Sequence, residues 1–179
     1  MKSNILIKIL LFLIIFSKTS IAECINLKKD TFSKDIKSLE IKINNEFKEF
    51  DIILSPAMGG IVLGYEIGRI LNKETIFSER VNGEFKLRRD FVIKKDQNVL
   101  IVEDVITTGK SSLECSKLVL ENNANIVGYA CLIDRSKGKS SIKGKIISQI
   151  ELDIPTYTKE NLPNDLLTLK AVKPGSRNL

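Results

Sequence analysis

The stretch Val99–Ser112 (VLIVEDVITTGKSS) decides the fold, because it joins an apolar run, two adjacent acidic residues and a small, hydroxyl-rich turn. A continuous apolar run of this kind is typical of a strand buried on both faces of a parallel sheet. The sequence from about Lys110 to Glu121 then predicts a helix. The stretch therefore predicts a buried strand, an acidic turn and a helix in immediate succession.

Strands and helices continue to alternate on both sides of this stretch. The predicted elements are a helix within 28–49, strands at 50–54 and 74–78 with a helix at about 61–71 between them, the central strand at 98–102, and later strands at 124–133 and 146–152. Such alternation implies βαβ units and a mainly parallel, twisted sheet flanked by helices. The prediction is a single α/β domain.

Composition narrows the possible chemistry. The 179 residues suit one domain, and 28 basic against 22 acidic residues give a net charge of +6, which suits anionic partners. Histidine is absent, which excludes a Ser-His-Asp triad, a histidine base and histidine zinc sites. The three cysteines are widely spaced and form neither a disulfide framework nor a CxxC metal pattern, so a reducing compartment is the simpler interpretation.

The end of the central strand carries the candidate site, since ligands of such sheets bind beyond the carboxyl ends of the strands. Glu103 and Asp104 are suited to accept hydrogen bonds from hydroxyl groups, and the turn Thr107–Ser111 leads into a helix whose free N–H groups favour a phosphate. Together they predict a ribose 5-phosphate site. The alternative is an acidic strand end followed by an ordinary helix cap.

This segment resembles the phosphoribosyl pyrophosphate (PRPP) motif of type I phosphoribosyltransferases. The resemblance implies that family's single-domain fold with a mobile basic loop, and Mg²⁺ bound through PRPP without direct protein ligands. It implies that Glu103 and Asp104 hold the ribose hydroxyls, with Asp104 also catalytic. The residues it implies for the 5′-phosphate are Thr107, Thr108, Gly109, Lys110 and Ser111.

Ser55–Ile61 (SPAMGGI) follows the first predicted strand and contains two glycines, which let backbone approach a ligand closely. It resembles the pyrophosphate loop of the family, although a tight strand-to-helix turn is the plainer alternative. The residues implied for pyrophosphate binding are Ala57, Met58, Gly59 and Gly60.

Phe77–Phe91 (FSERVNGEFKLRRDF) gathers basic residues around an Asn82-Gly83 turn and predicts a hairpin or mobile loop. A solvated basic hairpin is one interpretation. The other is a lid that closes on PRPP, as in orotate phosphoribosyltransferases with the shorter form of this loop. That resemblance implies catalytic contacts from Arg80 and Lys86 to pyrophosphate, made across the interface of a homodimer.

Cys131–Arg135 (CLIDR) ends another strand at the same sheet edge, where Arg135 could simply pair with Asp134. Orotate phosphoribosyltransferases have an arginine here that holds the orotate carboxylate, so the resemblance implies orotate binding by Arg135, with Thr107. Two later segments, Leu152–Tyr157 and Val172–Arg177, also resemble that subfamily.

Residues 1–22 have the basic start, apolar run and small residues of a secretory signal, and the run is too short to span a membrane. A misassigned start or a degenerate remnant is the alternative. This segment stands where relatives carry a Ser-, Gly- and aromatic-rich segment that helps cover orotate. Residues 23–179 are the predicted phosphoribosyltransferase-like domain, and a substrate such as PRPP favours the cytoplasm.

The expected reaction is transfer of phosphoribosyl from PRPP to orotate, giving orotidine 5′-monophosphate and pyrophosphate for pyrimidine biosynthesis. Three alternatives stay open: an inactive PRPP-binding homologue, a phosphoribosyltransferase for another base, and an RNA-binding, nucleotide-sensing regulator. Neither a nucleic-acid partner nor, apart from the signal-like segment, membrane association is expected.

Overall fold

The computed structural model describes residues 29–153 together with Asn161, Pro163 and Asn164. The elements from Ser33 onward belong to one compact unit, Ser33–Ile154. The signal-like segment 1–22, the tail motif at 172–177 and most of the motif at 152–157 lie outside the described residues. No helix among those described has the length and apolar character needed to cross a bilayer.

The main elements form one layered α/β arrangement. In chain order they are α1 (Lys29–Glu46), β1 (Ile52–Pro56), α2 (Gly59–Leu71), β2 (Glu74–Val81), β3 (Glu84–Leu87), β4 (Asn98–Ile106), α3 (Lys110–Glu121), β5 (Asn125–Asp134) and β6 (Ile146–Glu151). Within the described residues the strands build a six-stranded sheet in the order β3-β2-β1-β4-β5-β6. Every neighbouring pair is parallel except the β2–β3 hairpin. The predicted mainly parallel α/β fold is confirmed.

The two central strands, β1 and β4, are buried on both faces, which explains their uninterrupted apolar sequences. Ile52 and Leu54 of β1 belong to a core cluster with Cys115 and Val119 of α3. Because side chains alternate along a strand, the intervening Ile53 and Ser55 face the other way, where α2 covers them. Thus α2 and α3 lie on opposite faces of the sheet.

A stripe of small residues brings α2 unusually close to the sheet. Gly60, Gly64 and Gly68 recur every four residues, so they lie on one face of the helix. A Cβ atom at Gly64 would overlap the Ser55 hydroxyl, and one at Gly68 would overlap the Thr75 hydroxyl. The helix backbone itself therefore packs against β1 and β2, a contact that the sequence prediction did not foresee.

β1 and β4 extend further toward their carboxyl ends than the sequence predicts. β4 runs to Ile106 instead of ending at Val102, because β5 continues to pair with it as far as Ile106 opposite Asp134. β1 includes Ser55 and Pro56, and Pro56 is tolerated at the strand end, where it pairs only with β2.

The predicted hairpin is confirmed and its Asn82-Gly83 turn has positive φ angles of 52° and 87°. Two central residues of positive φ are the geometry that matches the twist of paired antiparallel strands. Mobility of this loop stays a prediction.

Substituting Gly64→Ala should destabilise the fold by about 1–3 kcal/mol, because the added methyl overlaps the Ser55 hydroxyl in a packed interior. Urea unfolding at constant m-value measures this loss. Ser55 Oγ is buried without a hydrogen-bond partner, so Ser55→Ala alone should be neutral or stabilising. The double variant should recover part of the stability, and purely additive effects would contradict the proposed overlap.

Candidate functional site

The strand order places a ligand crevice between β1 and β4. The chain moves from β1 outward to β2 on one side and from β4 outward to β5 on the other, so the order reverses between these strands. Their connections leave toward α2 and α3, on opposite faces, and open a space at the carboxyl ends of the strands. Ligands of open α/β sheets bind at such a switch point.

Asp104 lies on the α2 face of β4, against the start of α2. A Cβ atom at Gly59 would overlap the Asp104 carboxylate, so the absence of a side chain at Gly59 permits this close approach. The Val105 N–H donates to Asp104 Oδ1 at 2.9 Å. Burial raises the pKa of Asp104 above its ordinary value, although the hydrogen bond from Val105 opposes this shift. The structure therefore places Asp104 in contact with the loop that was predicted to bind pyrophosphate.

Glu103 faces the opposite side of the sheet, because β4 continues through both acidic residues and alternates them. Its side chain is largely buried, at 9% exposure, and accepts a hydrogen bond from the Ser112 hydroxyl in the first turn of α3. The acidic pair is thus divided, with Asp104 toward α2 and Glu103 beneath α3. Ser112 was not predicted as part of the site.

The turn before α3 combines exposed hydroxyls with a helix N-terminus. Thr107, Thr108 and Lys110 are exposed, and Gly109 has a φ of 79° that strongly favours glycine. The Lys110 N–H donates to Thr108 Oγ1 at 3.3 Å. The first N–H groups of any α-helix have no partner within the helix, so the start of α3, including Ser111, offers donors for an anion.

The loop after β5 is anchored on this turn. The Ser141 N–H donates to the Thr108 carbonyl at 3.1 Å. Ile142 covers Gly109 so closely that a Cβ there would lie 2.8 Å from Ile142 Cγ1. The phosphate turn and the loop after β5 therefore form one packed substructure, and Ile142 is a second residue that the sequence prediction missed.

Arg135 is the first residue of that loop, and its Nε is available for a hydrogen bond. Its backbone N–H donates to the Ile106 carbonyl at 2.8 Å, next to Thr107. Asp134 accepts instead from the Ser136 N–H at 2.7 Å, and over residues 33–153 no ion pair of Arg135 is found. Arg135 Nε is buried without a hydrogen-bond partner. The structure therefore does not contain the Arg135–Asp134 pair that was the alternative interpretation of this sequence.

The β1–α2 loop presents its backbone at the same edge. The Ala57 N–H donates to the Ser78 carbonyl at 2.8 Å and so continues the β1–β2 ladder. The following Ala57–Met58 peptide bond is cis. Met58 is 82% exposed, and Gly59 is exposed beside Asp104.

The β2–β3 hairpin separates its two predicted catalytic cations. Arg80 and Phe85 are cross-strand partners, as are Glu79 and Lys86, so the two pairs project from opposite faces. Arg80 lies on the α3 face and forms an ion pair with Glu114. Lys86 lies on the Asp104 face, is half-exposed, and is 3.8 Å from Glu84.

Glu114 is a third residue that the sequence prediction missed. Its position four residues after Lys110 was an available signal, because such pairs face each other on a helix. Glu114 Oε1 lies 3.9 Å from Lys110 Nζ.

Comparison with known proteins identifies the family. Residues 26–160 match the Phosphoribosyl transferase domain. The chain is 46% identical to the orotate phosphoribosyltransferase of Parvibaculum lavamentivorans over 144 residues, 80% of this chain and 74% of that protein. It is 42% identical to the orotate phosphoribosyltransferase of Maricaulis maris, again over 144 residues, 80% of this chain and 74% of that protein.

Solved structures share the fold at lower identity. The adenine phosphoribosyltransferase of Thermoanaerobacter pseudethanolicus superposes with a TM-score of 0.63 at 20% identity, over 70% of this chain and 82% of that one. The orotate phosphoribosyltransferase of Aeropyrum pernix gives a TM-score of 0.61 at 17% identity, over 75% and 78% of the two chains. From the domain match and the curated relatives, the chain belongs to the phosphoribosyltransferase family, within the group that contains the orotate phosphoribosyltransferases.

Proposed function

We propose that the chain transfers the phosphoribosyl group of PRPP to orotate, giving orotidine 5′-monophosphate and pyrophosphate. The observation that carries this proposal is the switch-point crevice, where the Asp104 carboxylate lies beside the pyrophosphate-loop glycine Gly59. Relatives at 41–46% identity are orotate phosphoribosyltransferases, which favours orotate over the purine bases.

The sugar phosphate would lie across the crevice. Its 5′-phosphate would accept hydrogen bonds from the Thr107–Ser111 turn and the start of α3, which is favourable for anions. The ribose hydroxyls would donate to Asp104, the more exposed of the two acidic residues. Glu103, held by Ser112, would support this arrangement from beneath α3.

The reaction breaks the bond from the ribose anomeric carbon to the pyrophosphate oxygen, and the electron pair leaves with pyrophosphate. A bond from an orotate ring nitrogen to the same carbon replaces it, and that nitrogen loses its proton. Positive charge that develops on the ribose faces Asp104, while the Ala57–Gly60 backbone and the hairpin cations Arg80 and Lys86 offset the charge of pyrophosphate. Catalysis then rests on positioning and electrostatics, without a covalent nucleophile.

Mg²⁺ fits this site as a partner of the substrate. Among residues 33–153 no group of three or more candidate metal ligands occurs. Mg²⁺ usually keeps several waters and binds substrate phosphates together with one or two carboxylates. Bound to PRPP, it would reduce the negative charge of pyrophosphate in the crevice where Asp104 lies beside Gly59.

Arg135 is the proposed determinant of the acceptor base. A guanidinium matches a carboxylate bidentately, and Arg135 Nε has no other hydrogen-bond partner. Its backbone is fixed to Ile106 beside Thr107, the second residue proposed to contact orotate. We further propose a homodimer in which the hairpin serves the neighbouring site, and a cytoplasmic location where PRPP is available.

Pyrophosphate release in the presence of PRPP and Mg²⁺ tests the function directly. The expected result is release that requires orotate and does not occur with adenine in its place. Release with adenine alone would reassign the base. PRPP binding without release for either base would identify an inactive homologue, and salt-sensitive RNA binding would favour the regulator.

Asp104→Asn should lower kcat/KM for PRPP by roughly 10- to 100-fold, the cost of weakening hydrogen bonds to a charged group. The same substitution should raise thermal stability at neutral pH. Burial raises the pKa of Asp104 in the folded protein, so the folded state loses stability as pH rises through that pKa and the carboxylate ionises. Asparagine removes that cost.

Steady-state kinetics and melting curves at pH 4–8 check both effects. The difference in melting temperature between variant and wild type should shrink as pH falls, because the wild-type carboxylate becomes protonated. Normal turnover by the variant would refute the ribose assignment, and a variant less stable at every pH would refute the electrostatic account.

Arg135→Ala should raise the KM for orotate at least tenfold while changing the affinity for PRPP less than twofold, because only the orotate carboxylate loses its charged partner. Arg135→Lys should recover little, since lysine cannot bind a carboxylate bidentately. Kinetics with each substrate varied in turn separate the two constants. Equal losses for both substrates would indicate general damage to the loop after β5.

A further inference from the structure

The hairpin residue Arg80 is held by three separate contacts. It forms an ion pair with Glu114 of α3, donates from Nη1 to the Gly83 carbonyl at 2.6 Å, and stacks on Phe85 at 4.1 Å from the ring centroid. Its side chain is 28% exposed, compared with 58% and 61% for Arg88 and Arg89. Arg80 is therefore more buried than the other two hairpin arginines, although Arg89 is also paired, with Glu79 on the opposite face of the hairpin.

These contacts give the hairpin a second attachment. β3 has only four residues and pairs with β2 alone within the described sheet, and a two-stranded hairpin is marginally stable unless it packs on something else. Phe85 is buried in the core cluster on the α3 face. The Arg80–Glu114 pair lies beside it and fixes the charged part of the same face to α3.

Glu114 also links the hairpin to the phosphate turn. Its second oxygen lies 3.9 Å from Lys110 Nζ, at the first position of α3. One carboxylate thus contacts a cation of the hairpin and a cation of the phosphate turn.

Because side chains alternate along β2 and β3, holding Arg80 against α3 determines the face of the hairpin from which Lys86 projects. With Arg80 and Phe85 fixed toward α3, Glu79 and Lys86 must project from the other face, the face that carries Asp104 and Gly59. Lys86 is 53% exposed and only loosely paired with Glu84, so it can reach an anion without breaking a close contact.

We propose that Glu114 is a positioning residue for pyrophosphate departure, because it holds Arg80 and the hairpin against α3 and so fixes the direction in which Lys86 projects toward the pyrophosphate of the neighbouring site. This inference rests on the proposed function for its catalytic consequence, and it refines the role of Arg80. Arg80 acts through Glu114 and the hairpin, whereas Lys86 meets the pyrophosphate.

The test uses Glu114→Gln, which keeps the shape of the side chain and removes its charge. In the ligand-free protein, hydrogen exchange of amides 81–87 should accelerate at least fivefold. In steady-state assays, kcat/KM for PRPP should fall about tenfold, since small displacements of a catalytic group cost rate steeply, while the KM for orotate changes less than twofold. Arg80→Gln should reproduce both effects, and the double variant should be no worse than either single one.

Glu121→Gln is the matched control, because Glu121 pairs with Lys117 at 3.6 Å with the same spacing along the helix as Lys110 and Glu114. It should match the wild type in both measurements. Lys86→Gln should lower kcat/KM for PRPP without changing hydrogen exchange in the hairpin. This result would separate the role of Lys86 at pyrophosphate from the role of the Arg80–Glu114 pair in holding the hairpin.

Unchanged exchange in Glu114→Gln would overturn the attachment. An unchanged kcat/KM for PRPP in that variant would overturn the positioning role. An improved kcat/KM would also overturn it, because Arg80 would then work better when released from Glu114. If the wild type shows no orotate-dependent pyrophosphate release, the proposed function fails, yet the exchange measurement still decides whether Glu114 holds the hairpin.

Discussion

The parallel pairing of β1 with β4 is the constraint on which the rest of the structure depends. Because these strands are adjacent in space but far apart in sequence, their outgoing loops meet at one edge and then leave to opposite faces. Gly59, the first residue of α2, brings the β1–α2 loop within contact of Asp104. Without that close approach, the acid and the β1–α2 loop would not share a crevice.

Sequence reasoning recovered the fold because its main signals are local. Apolar runs such as Val99–Val102 and the turn before α3 are readable from period and composition alone. The ends of strands cannot be predicted in this way, because they depend on pairing with a neighbouring strand. β4 continues to Ile106 because β5 still pairs with it there. That extension in turn places Glu103 and Asp104 on opposite faces, which two adjacent letters in a sequence cannot reveal.

Residues of the candidate site could be predicted where the residue type itself suggests the chemistry. They could not be predicted where their importance comes from a contact between elements distant in the sequence. Asp104, Gly59 and Arg135 were named from their positions after strands, and the structure places them at one edge of the sheet. Ser112 and Ile142 were missed because their roles arise only when α3 and the loop after β5 pack on the turn. The stripe Gly60-Gly64-Gly68 was visible as a pattern, but its partners on β1 and β2 were not.

The anchored loop after β5 has an evolutionary consequence. Its two ends are fixed, by the Arg135 amide on Ile106 and by Ser141 on Thr108, whereas its tip at Gly138 has open space around it. Insertions and drift can therefore accumulate at the tip without moving Arg135 or the phosphate turn. Descendants of such a chain can lengthen this loop and acquire new surface contacts while the geometry at its base is inherited unchanged.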